Sequence, residues 1–178
     1  FNLLENELVE FHYQPIVSLQ TGEIYGYETL MRSLLPIFKS PQDIFNVAQF
    51  HYRLGQLEKL TFFKGIRDFE ALRMPPSVRL FINSVPSQDL KDEEWRELKD
   101  KYSRDFQHIV VEFTEYERAS YNAMQHKLNH IRDCGARIAL DDYGTGYNGE
   151  AVLLEFFPDF IKIDMLLVRN VNKDNERQ

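Results

Sequence analysis

Residues 109–146 read IVVEFTEYERASYNAMQHKLNHIRDCGARIALDDYGTG. Two short apolar runs, 109–113 and 137–140, enclose an amphipathic helical stretch at 119–133. Strand, helix and strand in this order, with both strands apolar on both faces, is the pattern of a parallel βαβ unit. The first strand meets an acidic residue at Glu112 and the second ends on the pair Asp141-Asp142. Gly144-Thr145-Gly146 follows, a loop whose glycines let backbone approach a ligand or partner closely.

Outward from this unit the same alternation continues. Strand-like runs at 11–19 and 23–30 are joined by Gln20-Thr21-Gly22, which predicts an antiparallel hairpin. A helical stretch covers 41–72 with a break near Gly55, and Pro75-Pro76 leads into a strand at 78–83. Residues 86–102 read as a helix with Asp89, Asp92, Glu93 and Glu94 near its start, where the helix dipole favours them. A helix at 147–156, a strand at 160–163 and a helix starting at Met165 complete the series.

Asn83, Glu112, Asp141 and Lys162 recur at or near strand ends, separated by 29, 29 and 21 residues. That is close to one βα unit each, and in a barrel of such units the C-terminal strand ends form the face where active sites lie. The predicted fold is therefore α/β, a TIM-like (β/α) barrel with an antiparallel first hairpin. Six of the eight strands of a full barrel are expected, so 1–178 reads as one domain lacking the last two βα units.

The 178 residues suffice for a single domain with a sizeable core, and 14 Phe and 9 Tyr make that core aromatic. With 21 basic and 28 acidic residues the net charge is −7, which argues against a binder of nucleic-acid polymers. No apolar run is long enough to cross a membrane, and Glu5 and Glu7 near the start do not suit a signal peptide. Cys134 is the single cysteine, so no internal disulfide forms and a reducing compartment is expected. The missing initial Met suggests a domain of a longer protein.

Acidic groups gathered on one rim would repel each other and take up protons without positive charge among them. Hard divalent cations, Mg2+ or Mn2+, suit carboxylate and amide oxygens, and adjacent Asp141-Asp142 could serve two ions. The five His look scattered, without a zinc motif, and are expected to be structural or on the surface, as is Cys134. Each signal alone has a plainer reading. Glu28 could be a solvated turn residue, Asn83 a helix cap, the Asp141-Asp142 stretch a turn, and Lys162 an ion-pair partner of Asp164. Their shared spacing favours a common site.

Tyr13-Gln14-Pro15-Ile16-Val17 and Gly26-Tyr27-Glu28-Thr29-Leu30-Met31-Arg32 resemble the opening strands and signature of the EAL-domain family of cyclic di-GMP phosphodiesterases. Phe81-Ile82-Asn83-Ser84, Glu112-Phe113-Thr114-Glu115, Asp141-Asp142-Tyr143-Gly144-Thr145-Gly146-Tyr147 and Lys162-Ile163-Asp164 are similar to further family motifs in order and spacing. The resemblance implies that Glu28, Asn83, Glu112, Asp141 and Asp142 are ligands of a two-metal Mg2+ or Mn2+ site. It implies that Lys162 acts with Glu28 in catalysis, that Asp164 supports the cluster, and that Glu115 anchors the loop after Asp142. Gln14, Leu30 and Arg32 would contact the dinucleotide, Arg32 on a phosphate. The implied reaction is hydrolysis of cyclic di-GMP to linear pGpG.

The resemblance further implies a homodimer in the cytoplasm, free or as part of a membrane-anchored protein, fused to a sensor or GGDEF domain. Thr29 departs from the signature's Ala; its side chain should point away from Glu28's face, since strand neighbours alternate. The absent last units motivate a competing expectation, a non-catalytic cyclic di-GMP receptor or interaction module. A barrel enzyme acting on another phosphodiester is the third.

Overall fold

The computed structural model of the chain describes residues 2–102, 106–114, 121–144, 153–154 and 156–173. A short helix α1 (Asn2–Glu5), not anticipated from sequence, precedes the hairpin β1 (Val9–Val17) and β2 (Ile24–Ser33). The hairpin is antiparallel, with Gln14 opposite Glu28 and Glu10 opposite Arg32. Gly22 closes the turn at φ +72°, a backbone conformation that favours glycine, and donates its N–H to the Ser18 carbonyl at 2.8 Å.

Four parallel pairings follow, from β2 through β3 (Arg79–Asn83), β4 (Ile109–Thr114), β5 (Arg137–Tyr143) and β6 (Phe160–Ile163). The strands lie side by side in chain order in one six-stranded sheet. Helices α2 (Pro41–Phe50), α3 (Leu54–Ala71), α4 (Asp92–Tyr102), α5 (Tyr121–Asp133) and α6 (Met165–Val168) lie between or after the strands. None of the described helices is long and apolar enough to cross a membrane.

Among the predicted boundaries that move, two helix boundaries have a clear local reason. The helix expected over 41–72 breaks at 51–53 rather than near Gly55. Tyr52 takes φ +56°, and the Arg53 N–H turns back to the Ala48 carbonyl at 2.7 Å. The first half starts on a capping box: Ser40 Oγ accepts from the Asp43 N–H, Asp43 accepts from the Ser40 N–H, and Pro41 follows the cap. The helix expected over 86–102 starts only at Asp92. The Gln88 carbonyl, which an earlier helix would use for its own ladder, instead accepts from the buried Lys127 ammonium, and the Val85 carbonyl accepts from that ammonium as well as from the Gln88 N–H. Most of the helix expected over 147–156 lies outside the described residues.

Strand periodicity divides the sheet into two faces. Leu80, Ile82, Val111, Phe113 and Ile138 pack under the helices with Phe62, Trp95, Leu98 and Leu128. A second cluster joins Leu3, Phe11, Ile44 and Leu57 beneath α1 to α3. On the opposite face Phe81, Val110 and Ala139 meet Ile16 and Phe160. Two residues on, in four successive strands, the same face turns polar. Phe81 is followed by Asn83, Val110 by Glu112, Ala139 by Asp141 and Phe160 by Lys162. An apolar layer thus supports a layer of ionisable groups at the C-terminal strand ends. Gly26 on β2 allows the close packing below, since a Cβ there would come within 2.7 Å of the Arg79 carbonyl.

Candidate active site at the strand ends

Lys162 on β6 is the centre of the polar layer. Its Nζ lies 3.0 Å from Glu28 Oε2, 2.8 Å from Glu112 Oε1 and 2.9 Å from Asp141 Oδ2. Asn83 Nδ2 approaches Glu28 Oε1 at 3.4 Å. Four strands therefore deliver three carboxylates and one ammonium to a single point. Two of the plainer readings do not hold: Asn83 caps no helix, since α4 starts nine residues later. Lys162 pairs with the three strand-end carboxylates, while Asp164 is the N-cap of α6, accepting from the Leu166 N–H at 2.6 Å.

The electrostatics follow from burial and a charge imbalance. Glu112 is 1% exposed. Its pKa is raised to about 8, first by burial and then by Glu28 and Asp141, with Lys162 opposing the rise. For Lys162 burial alone would lower the pKa, but Glu112 first, then Asp141 and Glu28, carry it above its ordinary value. Glu28, Glu112 and Asp141, with Asp142 nearby, share one ammonium, so the cluster holds more acidic than basic groups.

Asp141 and Asp142 are chain neighbours, which a regular strand would send to opposite faces. The pairing of β5 with β6 slips between Leu140 and Tyr143, and Asp142 takes φ +54°. This bulge lets Asp142 also meet the cluster: its pKa is raised by partial burial, then by Asp141 and Asp164. Left-handed backbone at a residue other than glycine stores strain, a feature concentrated at functional sites. Gly144, φ +102°, lies against α6, where a Cβ would collide with Leu167.

The remaining predicted residues divide. Gln14 sits beside Glu28 in the hairpin register and is exposed. Leu30 joins Glu28, Asn83, Thr114 and Asp142 in lining an open cavity of about 480 Å³. Arg32 is farther along β2, its Nη1 donating to the Met31 carbonyl at 2.9 Å. Thr29 is buried, and its hydroxyl donates to the Phe81 carbonyl at 2.9 Å, so the polar replacement is satisfied. Glu115 lies outside the described residues.

Sequence reasoning missed a supporting network behind Asn83. Glu58 on α3 and Lys127 on α5, each 1% exposed, pair at 2.5 Å. Glu58 accepts from Ser84 Oγ at 2.7 Å and the Val85 N–H at 2.9 Å. An acidic residue amid the apolar positions of α3 was the available signal, and it has the same look as a surface position.

The profile of the EAL domain family matches residues 2–178. The chain belongs to the EAL domain family. This EAL domain is 31% identical over 178 residues to the "Probable cyclic di-GMP phosphodiesterase PdeG" of Escherichia coli K12, covering 96% of the chain and 35% of that protein. The chain thus spans about a third of the length of that relative. Among solved structures it resembles a standalone versatile EAL protein from Vibrio cholerae O395 in its c-di-GMP-bound form. The TM-score is 0.78 at 29% identity, covering 96% of this chain and 72% of that one. It also resembles Klebsiella pneumoniae BlrP1 in a calcium/cy-diGMP complex, TM-score 0.76 at 25% identity, over 97% of this chain and 44% of that one. The fold of this EAL domain is accordingly that of a TIM-like barrel, its first strand pair antiparallel.

The donor set of this EAL domain fits a divalent cation. Glu28, Glu112 and Asp141 each offer an oxygen, all within 4.8 Å of one another. The Oε2 atom of Glu112 is buried without a hydrogen-bond partner among the described residues. A hard cation would satisfy that oxygen and offset the excess of acidic groups.

Proposed function

We propose that this EAL domain is a metal-dependent phosphodiesterase that hydrolyses cyclic di-GMP to linear pGpG in bacterial second-messenger signalling. The observation that carries the reading is the strand-end layer, in which Glu28, Glu112 and Asp141 surround Lys162. The names of the PdeG relative and of the Vibrio structure support the substrate. In this reading Glu28, Asn83, Glu112, Asp141 and Asp142 hold two Mg2+ or Mn2+ ions. When bound, such ions supply water activation and charge neutralisation at the phosphodiester.

The chain's own groups do the rest. Lys162 stays protonated at neutral pH, because its neighbours raise its pKa. Its N–H donors orient the attacking oxygen and offset negative charge that builds on the phosphate. Arg32 offers a planar guanidinium to a phosphate, while Gln14 and Leu30 contact the dinucleotide. Asp164 supports the cluster, and Glu115 anchors the loop after Asp142. The same reading has the domain in the cytoplasm as a homodimer, joined to a sensor or GGDEF domain.

Incubating the folded domain with cyclic di-GMP and Mg2+ is expected to produce pGpG, followed by reversed-phase chromatography. Glu28→Ala should lower turnover by about a hundredfold or more. Tight binding without hydrolysis by the folded, cation-loaded protein would replace the enzyme with a receptor.

A further inference from the structure

Asp89, in the segment leading into α4, meets His126 and His130 of α5. One ligand-type atom from each lies within 4.8 Å of the others. The four-residue spacing puts both imidazoles on one face of α5, with ring centroids 4.4 Å apart. His126 Nδ1 is 3.0 Å from Asp89 Oδ2, and His130 Nδ1 is 3.8 Å from the same oxygen. The second distance is too long for a hydrogen bond. His130 Nδ1 is nevertheless shielded from solvent and has no hydrogen-bond partner among the described residues. A histidine–aspartate contact between His126 and Asp89 alone leaves that buried nitrogen unexplained.

The surroundings have the form of an outer shell. Trp95, 3% exposed, donates its indole N–H to Asp89 Oδ1 at 2.9 Å. That bond holds the carboxylate with Oδ2 turned to the imidazoles. On the far side of His130, Nε2 faces Asp92 Oδ1 at 3.9 Å. Metal-ligating histidines usually donate their other ring N–H to a carboxylate, and Asp92 lies on that side of His130 though beyond hydrogen-bond reach.

Two donors about 2.0–2.2 Å from a tetrahedral ion sit about 3.4 Å apart. The 3.0 and 3.8 Å from the two imidazole nitrogens to Asp89 Oδ2 bracket that value. We propose that Asp89, His126 and His130 form a binding site for a transition-metal dication, Zn2+ foremost, with Asp92 as outer partner. Two imidazoles and one carboxylate suit such an ion, whereas the all-oxygen strand-end cluster suits Mg2+. The ion would tie residues 84–89, which leave the strand end at Asn83, to α5. Three protein ligands leave a position for water or a further donor.

The chain's single tryptophan reports on the site, because Trp95 lies 5.6 Å from the His130 ring. Tag-free protein in millimolar Mg2+, which competes for the strand-end carboxylates, is titrated with Zn2+ by calorimetry. A parallel Co2+ titration follows Trp95 quenching and the visible absorption of tetrahedral Co2+. One ion per chain, micromolar or tighter, is expected. His126→Gln and His130→Gln should each weaken it more than about tenfold, and Asp92→Asn by about tenfold. Glu28→Gln should leave it unchanged, and far-UV circular dichroism should show each variant folded. No Zn2+ binding by the wild type, or equal binding by a folded His126→Gln/His130→Gln double variant, would overturn the site. So would loss of binding in Glu28→Gln.

Discussion

Lys162 stabilises its surroundings by being the shared counter-charge of Glu28, Glu112 and Asp141. Removing it leaves carboxylates, one of them fully buried, facing each other without compensation. Lys162→Met should therefore destabilise the metal-free protein by about 3 kcal/mol in urea unfolding. Millimolar Mg2+ should recover most of that loss, because the cation takes over the ammonium's electrostatic role. A variant as stable as the parent without metal would show that the cluster is not electrostatically strained. Cys134 makes a contrasting case. Burial pushes its thiol pKa above the ordinary value, only partly offset by Lys99. Because the thiolate is the reactive form, its disulfide-exchange rate should rise with pH through a higher midpoint in the folded than in the urea-unfolded protein. Coincident midpoints in a DTNB titration would contradict this.

At the scale of elements, the path from Asn83 to α4 is held from outside the sheet. Lys127 reaches across from α5 to Glu58, the Val85 carbonyl and the Gln88 carbonyl. Loss of one partner strands the other charge in the core, so Lys127→Met should cost about 3–5 kcal/mol. Chemical denaturation measures it, and a cost below about 1 kcal/mol would mean water reaches Glu58. The network also explains a failed helix boundary. Residues 86–91 have helix-compatible composition, yet a buried ammonium contributed by residue 127 claims the Gln88 carbonyl. The break between α2 and α3 was visible in outline only, since positive φ at Tyr52 has no marker in residue type.

At the scale of the molecule, β1 and β6 are the two edges of the sheet among the described residues. Ile161, Ile163, Met165 and Leu166 are 46–61% exposed and fall within six residues of one another. Exposed apolar area beside an unpaired strand edge favours association. The 178-residue chain should enhance ANS fluorescence and scatter light increasingly with concentration. Ile163→Lys together with Leu166→Lys should reduce both signals. Equal signals from that variant would place the sticky surface elsewhere.

Much of the architecture was legible because it rests on short-range periodicity. Apolar runs at 109–113 and 137–140 around one helix required parallel strands, and Gln20-Thr21-Gly22 required a hairpin. Equal spacing of Asn83, Glu112 and Asp141 then placed them on one rim, since each βα unit returns the chain to the same end of the sheet. The sequence by itself thus determined the alternation, the strand ends and the residue types gathered there. Only tertiary structure decided which of those groups touch. It paired Lys162 with three carboxylates rather than with Asp164, and turned Asp142 inward through a bulge. It also joined Asp89 to His126 and His130 across 37 and 41 residues of chain. Periodicity determines a side chain's face, but contact between elements depends on packing distances that no local pattern encodes.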